Sequence, residues 1–301
     1  MERFDTARAV DARKEESVQK DKCEKILEDY NDVFADIYNV LVFNKRYLDE
    51  DRLETGATES IYKAEKGDLK EQRRDILKTY HEQNFVICSL GIENQSTIDK
   101  YLPLRVMGYD YATYQRQMRN KKKITPTITI VLNFSEKRWN KPTNLHGLFK
   151  LPNGLKHLVQ DYQIKVYDIA FLEDDVIEKF TSDFKVVARY LKNRRLKKLY
   201  LVVEDQQEIH HVEAVLDLFR VFTQDERYDK LLTEKIKDEK QKGEKVNMCY
   251  VVDAFEQRGI ERGRLGLLKK WVEKGKVTLE EAAEEMEVTV AEIEEMFANK
   301  I

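Results

Sequence analysis

Three residues on two neighbouring stretches of this chain are of types that hold a hard divalent cation. Asp75 lies in the segment Arg73–Lys78, and Glu93 and Gln95 end an apolar run that begins at Phe85. Both stretches have the composition of β-strands. A carboxylate on one strand and an acid-x-amide pair on its neighbour can form a site for such a cation, with the amide near a bound water. The residue types therefore favour a metal site across a pair of strands.

The turn between these strands decides whether the three side chains share one face of a sheet. His81–Asn84 is a polar gap in an otherwise apolar pattern, which is typical of a hairpin turn. Because side chains alternate along a strand, Glu93 and Gln95 lie on the same face. A hairpin centred near Asn84 places Asp75 opposite Glu93 on that face, whereas a slip of one residue turns Asp75 away.

The composition is that of a soluble globular protein, with 301 residues, 42% hydrophobic and 36% charged. The length suits two domains, or one domain with appendages. A net charge of -3 means that any nucleic-acid contact must come from local basic patches. Three distant cysteines without metal-ligand spacing predict free thiols in a reducing compartment. No signal-like segment or long apolar run is present, so we expect a cytoplasmic protein without a membrane partner.

A helix is predicted before the paired strands, from Gln19 to Phe43. Its apolar residues follow the spacing of one buried stripe, and three acids stand four residues apart, at Glu28, Asp32 and Asp36. Asp36 lies beside the apolar stripe. It is therefore either the edge of a solvated face or an acid directed towards an active site.

A second helix is predicted after the strands, over Met107–Asn120, following an interruption at Pro103. Its face combines tyrosines and glutamines with arginines, and the basic run Lys121–Lys123 follows directly. A β-branched segment, Ile124–Phe134, comes next and predicts another strand.

The rest of the pattern predicts a further strand, Ile164–Leu172, and then helices over Asp175–Lys192 and Glu208–Thr223. The segment Leu199–Val203 fits either a short strand or a buried helix end. The order of elements predicts an α/β fold with a mixed central sheet flanked by helices and a helical C-terminal region. We divide the chain into a core at 18–175, a helical extension packing on it at 176–245, and a helical tail at 246–301.

The tail ends in two short helices. Thr278 with Glu281, and Thr289 with Glu292, have the spacing of capping boxes. The pair resembles a helix-turn-helix, but its second helix is acidic, which is the wrong sign for entering the major groove. A capping or oligomerisation element is the better interpretation, and self-association through these helices stays open.

Three segments resemble the bacterial recombination-promoting nuclease family, also called Rpn or YhgA-like transposases, within the PD-(D/E)XK nuclease superfamily. They are Glu28–Ile37, Gly91–Gln95 and Leu102–Asp110, and the resemblance covers residues 20–135 most strongly. It implies a restriction-endonuclease-like core, built from a helix, a three-stranded meander, a helix and a fourth strand. That order agrees with the order read from periodicity.

The resemblance also implies roles for individual residues. Asp75 matches the acid of the second core strand, and Glu93 and Gln95 match the ends of the (D/E)-x-K motif. Gln95 stands where the superfamily usually has Lys, a departure common in the Rpn branch. Arg74 occupies the place of the proline, and Gln115 lies on a helix that supports the site in many members.

A Mg²⁺ or Mn²⁺ cofactor follows from the resemblance, held by Asp75 and Glu93 and assisted by Asp32 or Asp36. The partner it implies is double-stranded DNA. Gln95 brings no charge, so a nearby base must supply the charge that Lys would give. Phosphate contacts are expected from Lys78, Arg105, Gln115, Arg116, Arg119, Lys121, Lys122 and Lys123. Arg105 is equally suited to a structural ion pair.

The resulting hypothesis is a metal-dependent DNA endonuclease of low sequence specificity that acts in recombination or mobile-element biology. The alternative is a catalytically weak or inactive family member that serves as a DNA- or protein-binding regulatory module.

Overall fold

The computed structural model describes residues 26–63, 69–83, 85–121, 123–152, 154–198, 206–223, 236–238 and 240–298. The start of the first predicted helix, at 19–25, and the segment Leu199–Val203 lie outside these ranges. So does most of the charged stretch at 225–245.

The described elements are helices and strands up to Asp168, and they are helical thereafter. In chain order they are α1 (Asn31–Tyr38), β1 (Leu53–Thr55), β2 (Glu59–Lys63), β3 (Leu69–Arg73), β4 (Ile76–Glu82), β5 (Phe85–Gln95), α2 (Leu102–Arg119), β6 (Thr127–Asn133), β7 (Lys165–Asp168), α3 (Asp174–Ile177), α4 (Phe184–Arg195), α5 (Val212–Thr223), α6 (Met248–Glu273), α7 (Leu279–Glu285) and α8 (Val290–Ala298).

A five-stranded mixed sheet forms the centre, in the order β1-β4-β5-β6-β7. The pairs β1/β4 and β4/β5 are antiparallel, whereas β5/β6 and β6/β7 are parallel. The parallel step from β5 to β6 needs a crossover, which α2 provides. Strands β2 and β3 form a separate antiparallel hairpin. The predicted α/β class with a mixed sheet flanked by helices is confirmed.

Helix α1 covers one face of the sheet. Phe34 and Tyr38 are fully buried in a cluster with Ile76, Leu90 and Ile92. The Tyr38 hydroxyl donates to the carbonyl oxygen of Gly91 at 2.7 Å, so the helix is also tied to the strand backbone. This cluster continues into α4 and α5, and the helical extension therefore shares the core of the sheet.

Helix α2 covers the opposite face. Leu102 and Val106 pack on Val131 of β6. The prediction that Pro103 interrupts this helix is wrong, because Pro103 lies in its first turn. Proline is accommodated there since the first amides of a helix have no partner within the helix.

Gly91 allows a buried arginine to cross β5. The Arg74 guanidinium donates to Asp110 of α2 at 2.5 Å, with its side chain 2% exposed. A Cβ at Gly91 would lie 2.9 Å from both Cδ and Nη1 of Arg74. Thr129 and Tyr162 also donate to the carboxylate of Asp110. The absent side chain at Gly91 therefore makes room for the ion pair that joins the strands to α2.

The helix predicted over Asp175–Lys192 is divided in two. Between α3 and α4, Thr181 and Ser182 donate their backbone N–H groups to the carboxylate of Asp36. The next residue, Asp183, is buried and accepts N–H groups from the two residues before α5. The Asp36 carboxylate thus captures two backbone donors that a continuous helix would use, so the helix breaks.

The tail forms a small core of its own. Leu268 of α6 packs with Ala282, Ala283 and Ile293. Both predicted capping boxes are present, at Thr278 and Thr289. Among the described residues, no helix is long and apolar enough to cross a membrane.

His211 connects the helical extension to the first helix. Its Nε2 lies 3.0 Å from a carboxylate oxygen of Asp32, and its ring stacks on Tyr30 with a centroid distance of 3.7 Å. Burial lowers the pKa of His211, but the hydrogen bond and charge of Asp32 and the charge of Asp183 raise it, so that the net pKa is raised despite Lys240. The pKa of Asp32 is lowered, since the hydrogen bond and charge of His211 outweigh the effect of burial.

We predict that Gly91→Ala lowers the free energy of unfolding by about 1–3 kcal/mol, because the added methyl group collides with the Arg74 side chain. Thermal unfolding measures the effect. The control is Gly263→Ala in α6, where a Cβ meets no atom within 4 Å. That change should be neutral or stabilising by about 0.5–1 kcal/mol. Equal effects at both positions would contradict the packing argument.

We also predict a pH-dependent contribution from the His211–Asp32 pair. A raised folded-state pKa means that the His211 contribution is complete below the unfolded pKa of about 6.5 and is lost as pH rises through the folded value. The contribution of Asp32 is lost at the acid end, as pH falls through its lowered pKa. Both side chains are partly exposed, so the effect is below about 1 kcal/mol.

Denaturant unfolding of the wild type and of His211→Gln at several pH values checks this prediction. The stability difference between the two should shrink from pH 6 to pH 8. A difference that is constant over this range would show that the ion pair does not titrate as described.

Candidate active site

The register between β4 and β5 brings the predicted metal-binding carboxylates to the same end of the sheet. Ile76 pairs with Ile92 and Leu77 with Gly91, as the predicted register requires. The register shifts at Tyr80/His81, close to the turn. The ladder ends at Ile76, and Asp75 lies in the bend directly before it. Both acids lie at the end of the sheet where β4 begins and β5 ends.

Glu93 is buried and contacts a cation. Its Oε1 accepts a hydrogen bond from Nη2 of Arg105 in α2 at 2.5 Å, and Nε2 of Gln95 lies 3.3 Å from the same oxygen. Arg105 also donates to Asp99 at 3.0 Å. The carboxylate, the amide and the guanidinium therefore meet at one oxygen atom. The Arg105 side chain remains 41% exposed and so contacts solvent as well as Glu93.

Electrostatics keeps the groups around Glu93 in defined protonation states. Burial lowers the pKa of Arg105, but the charge of Glu93 and the interactions with Tyr109 and Asp99 together outweigh it, so the net pKa is raised. Burial raises the pKa of Tyr109, and the charges of Glu93 and Asp75 raise it further. The phenol of Tyr109 therefore stays protonated at neutral pH, within the field of both carboxylates.

Asp75 lies directly before β4, where the antiparallel ladder ends. Its Oδ2 accepts the backbone N–H of Asn94 at 2.8 Å, and the Asn94 side chain donates to Glu28 at 2.6 Å. Glu28 is 1% exposed. A chain of hydrogen bonds thus connects an acid of the first helical segment, through Asn94, to Asp75.

The two acids predicted to assist the metal lie elsewhere. Asp36 accepts from Thr181 and Ser182, and Asp32 pairs with His211, so both connect α1 to the C-terminal helices. Neither forms a described contact with Glu93 or Asp75. This choice of acids is therefore corrected. The chain bends at residues 29–30, between helical residues 26–28 and α1, which separates Glu28 from the two acids that follow it.

Lys78 is also corrected as a phosphate ligand. Its side chain is 1% exposed and lies on the α1 face of the sheet, where its Nζ contacts Asp29 at 3.0 Å and the Phe34 ring at 5.7 Å. Strand alternation turns it away from the face that carries Glu93. An ammonium group enclosed in this way has no surface for a phosphate.

The predicted basic residues are divided between the two ends of α2. Arg105 lies beside Glu93, whereas Arg116 is about 16 Å further along the helix axis, at 1.5 Å per residue. Arg116 donates to the carbonyl of Ala57, and Gln115 donates to the Tyr111 hydroxyl. Three of the remaining bases are exposed near the C-terminal end of the helix, namely Arg119, Lys121 and Lys123. Lys122 lies outside the described residues.

Sequence reasoning missed Glu28, Asn94 and Tyr109 as members of this site. Glu28 belongs to the line of three acids, and it is the member nearest to the site because the chain bends after it. Asn94 stands between the two motif residues, and its backbone N–H, which no side-chain pattern reveals, contacts Asp75.

The donor set suits a hard cation only in part. Two carboxylates and the amide of Gln95 supply oxygen atoms of the kind that Mg²⁺ prefers, and Mg²⁺ commonly binds one or two carboxylates and keeps several waters. Among the described residues, no group of three or more His, Cys, Asp or Glu side chains is arranged to hold a metal ion. Asp75 and Glu93 would thus be the protein ligands, and Arg105 would have to share Glu93.

Comparison with known proteins identifies the family of this chain. The model of the family described as "Putative transposase, YhgA-like" matches residues 48–224, which is more than half of the chain. No curated protein and no solved structure matches the chain. The matched range contains the whole central sheet, α2 and the residues around Glu93. The chain belongs to the YhgA-like transposase family.

Proposed function

We propose that this protein is a metal-dependent DNA endonuclease that hydrolyses phosphodiester bonds with low sequence specificity, in recombination or mobile-element biology. The observation that supports the proposal is the position of Asp75 and Glu93 at the same end of the sheet, with Gln95 and Arg105 bonded to the same oxygen of Glu93. Family membership supports a transposase-like role and makes DNA the natural substrate.

Each protein group has a distinct part in the proposed reaction. A Mg²⁺ or Mn²⁺ ion, when bound by Asp75 and Glu93, would lower the pKa of a water ligand and neutralise charge on the scissile phosphate. The Gln95 amide would orient the attacking water by hydrogen bonding. The protonated hydroxyl of Tyr109 would donate towards a phosphate oxygen, since its raised pKa preserves the proton.

Arg105 would supply the positive charge that Gln95 lacks. Its guanidinium presents several N–H donors in a fixed plane, so it can contact Glu93 and a phosphate oxygen together. It is half-exposed beside the carboxylate, whereas Lys78, the other candidate for this role, is enclosed under α1. Arg105 is thus both the ion-pair partner of Glu93 and the proposed ligand of the phosphate.

One observation favours the alternative, a family member that binds DNA or protein without cutting. Glu93 already has a cationic neighbour at 2.5 Å, and that guanidinium competes with a metal ion for the carboxylate. If Arg105 always stays bound to Glu93 and keeps the metal ion out, the protein would bind DNA without cutting it. Cleavage assays separate the two functions directly.

We predict that the purified chain nicks supercoiled plasmid DNA in Mg²⁺ or Mn²⁺, and that Asp75→Ala lowers the rate by about 100-fold or more. Gel analysis of the nicked form measures the rate. The matched control is Asp174→Ala, which removes an exposed surface acid whose side chain is 87% exposed and should leave the rate unchanged. A wild type that binds DNA and never cuts would favour the inactive alternative, and equal cutting by Asp75→Ala would remove Asp75 from the mechanism.

We further predict that Arg105→Gln lowers both the maximal rate and the Mg²⁺ concentration that activity requires. The maximal rate falls by about 100-fold, since the phosphate loses a charged donor. The Mg²⁺ concentration for half-maximal activity also falls, because Glu93 loses its competing cation. Arg105→Lys should retain part of the rate. If Arg105 is only structural, the rate loss follows the loss of folded protein and the metal requirement does not change.

A further inference from the structure

The middle of the chain is strongly basic although the whole chain is not. Residues 100–160 contain twelve lysines and arginines and two acids, Asp110 and Glu136, in a protein of net charge -3. Both acids are engaged, Asp110 with Arg74 and Glu136 with Arg194. The basic surplus is therefore not cancelled locally.

Part of this surplus lies on a long connection between β6 and β7. Residues 137–160 contain five lysines and arginines and no acid. In the middle of this connection, three large apolar side chains project into solvent. Phe149 is 46% exposed, Leu155 is 50% exposed and Leu158 is 66% exposed. We call residues 149–158 the apolar tip; Asn153 within it lies outside the described residues.

The connection is held firmly at both ends. Near its start, the backbone N–H of Trp139 donates to Asp168 at 2.9 Å. Near its end, the Tyr162 hydroxyl donates to Asp110 of α2 at 2.5 Å. His146 further ties the two arms of the connection, since its Nε2 lies 2.7 Å from the carbonyl oxygen of Val159. The apolar tip is therefore exposed although the connection that carries it is held by hydrogen bonds on both sides.

The connection also adjoins the candidate active site. Trp139 packs on the cluster of Leu102 and Val106, within one turn of Arg105. Asn133, where the connection begins, pairs in register with Gln95. A molecule that occupies the site at Glu93 thus lies next to the connection.

We propose that the apolar tip is a second contact surface for duplex DNA, in which Lys150 and Lys156 bind phosphates and the three apolar side chains pack in the minor groove. Minor-groove proteins combine these two residue classes, because basic side chains hold the backbone while Phe or Leu side chains wedge against base steps. This proposal rests on DNA being the substrate of the proposed function.

Charge and position favour DNA over other partners. The apolar tip carries two lysines and no acid, so it suits an evenly anionic partner such as a phosphate backbone better than a protein surface of mixed charge. An anionic membrane would suit basic and apolar residues too, but it has no relation to the phosphodiester site that the start of this connection adjoins. The test includes vesicles as a separate arm.

The experiment measures binding of the full chain to a labelled 30-base-pair duplex by fluorescence anisotropy in EDTA, at several salt concentrations. One variant carries Phe149→Ser, Leu155→Ser and Leu158→Ser, and the other carries Lys150→Gln and Lys156→Gln. The controls are Leu196→Ser, at a side chain that is 41% exposed on another part of the surface, and Lys274→Gln with Lys276→Gln in the tail.

The two variants should fail in different ways. The apolar variant should bind about tenfold more weakly or worse with an unchanged salt slope, because stacking and wedging contacts release no counterions. The lysine variant should lower the slope of log K against log salt by about 2, at about 0.9 per phosphate contact. Both controls should stay within about twofold of the wild type.

Three results would overturn the proposal. They are wild-type affinity in both variants, absence of DNA binding by the wild type, and loss of binding to phosphatidylserine vesicles in the apolar variant while DNA binding is unchanged. If the wild type binds DNA through the apolar tip but never cuts it, the result contradicts the nuclease function and supports this inference. If the wild type cuts DNA and the apolar variant binds and cuts it equally well, the result contradicts this inference alone.

Discussion

The antiparallel pairing of Ile76 with Ile92 determines which side chains meet beneath α2. Because a strand alternates its faces, this one pairing sends Leu77, Gly91 and Glu93 to the α2 face. It sends Lys78 and Leu90 to the α1 face. A slip of one residue would bury Glu93 among the aromatic residues of α1 and expose that core. The core of the protein and the geometry of its candidate site thus depend on the same register.

Two ion pairs then fix α2 over this face. Arg74 reaches Asp110 across the space left by Gly91, and Arg105 reaches Glu93 from the first turns of the helix. The Arg74 pair is fully enclosed and has further donors in Thr129 and Tyr162. Such a pair is costly to break, since it would leave a buried charge. The Arg105 pair is open to solvent on one side, so its arginine can change partners at smaller cost. The Arg74–Asp110 pair is therefore structural, and the Arg105–Glu93 pair suits an active site.

The sequence was informative where a pattern is local. The hairpin turn and strand alternation sufficed to predict the pairing at the start of β4 with the end of β5, and the spacing of Thr278 and Thr289 sufficed for the caps of the last helices. It was less informative where a long-range contact decides. Lys78 resembles any surface lysine until Asp29 and Phe34 enclose it. Similarly, the line of acids on the first helix gave no reason to prefer Glu28. The preference arises from the bend at residues 29–30 and from Asn94 on a distant strand.

The central claim is that Asp75 and Glu93 act as one site, and a double-mutant cycle on plasmid nicking tests it most directly. Residues that act as a unit lose their effects together, so Asp75→Asn with Glu93→Gln should cut no more slowly than the slower single variant. Rate losses that multiply, as for two independent positions, would contradict the claim that these carboxylates share one function.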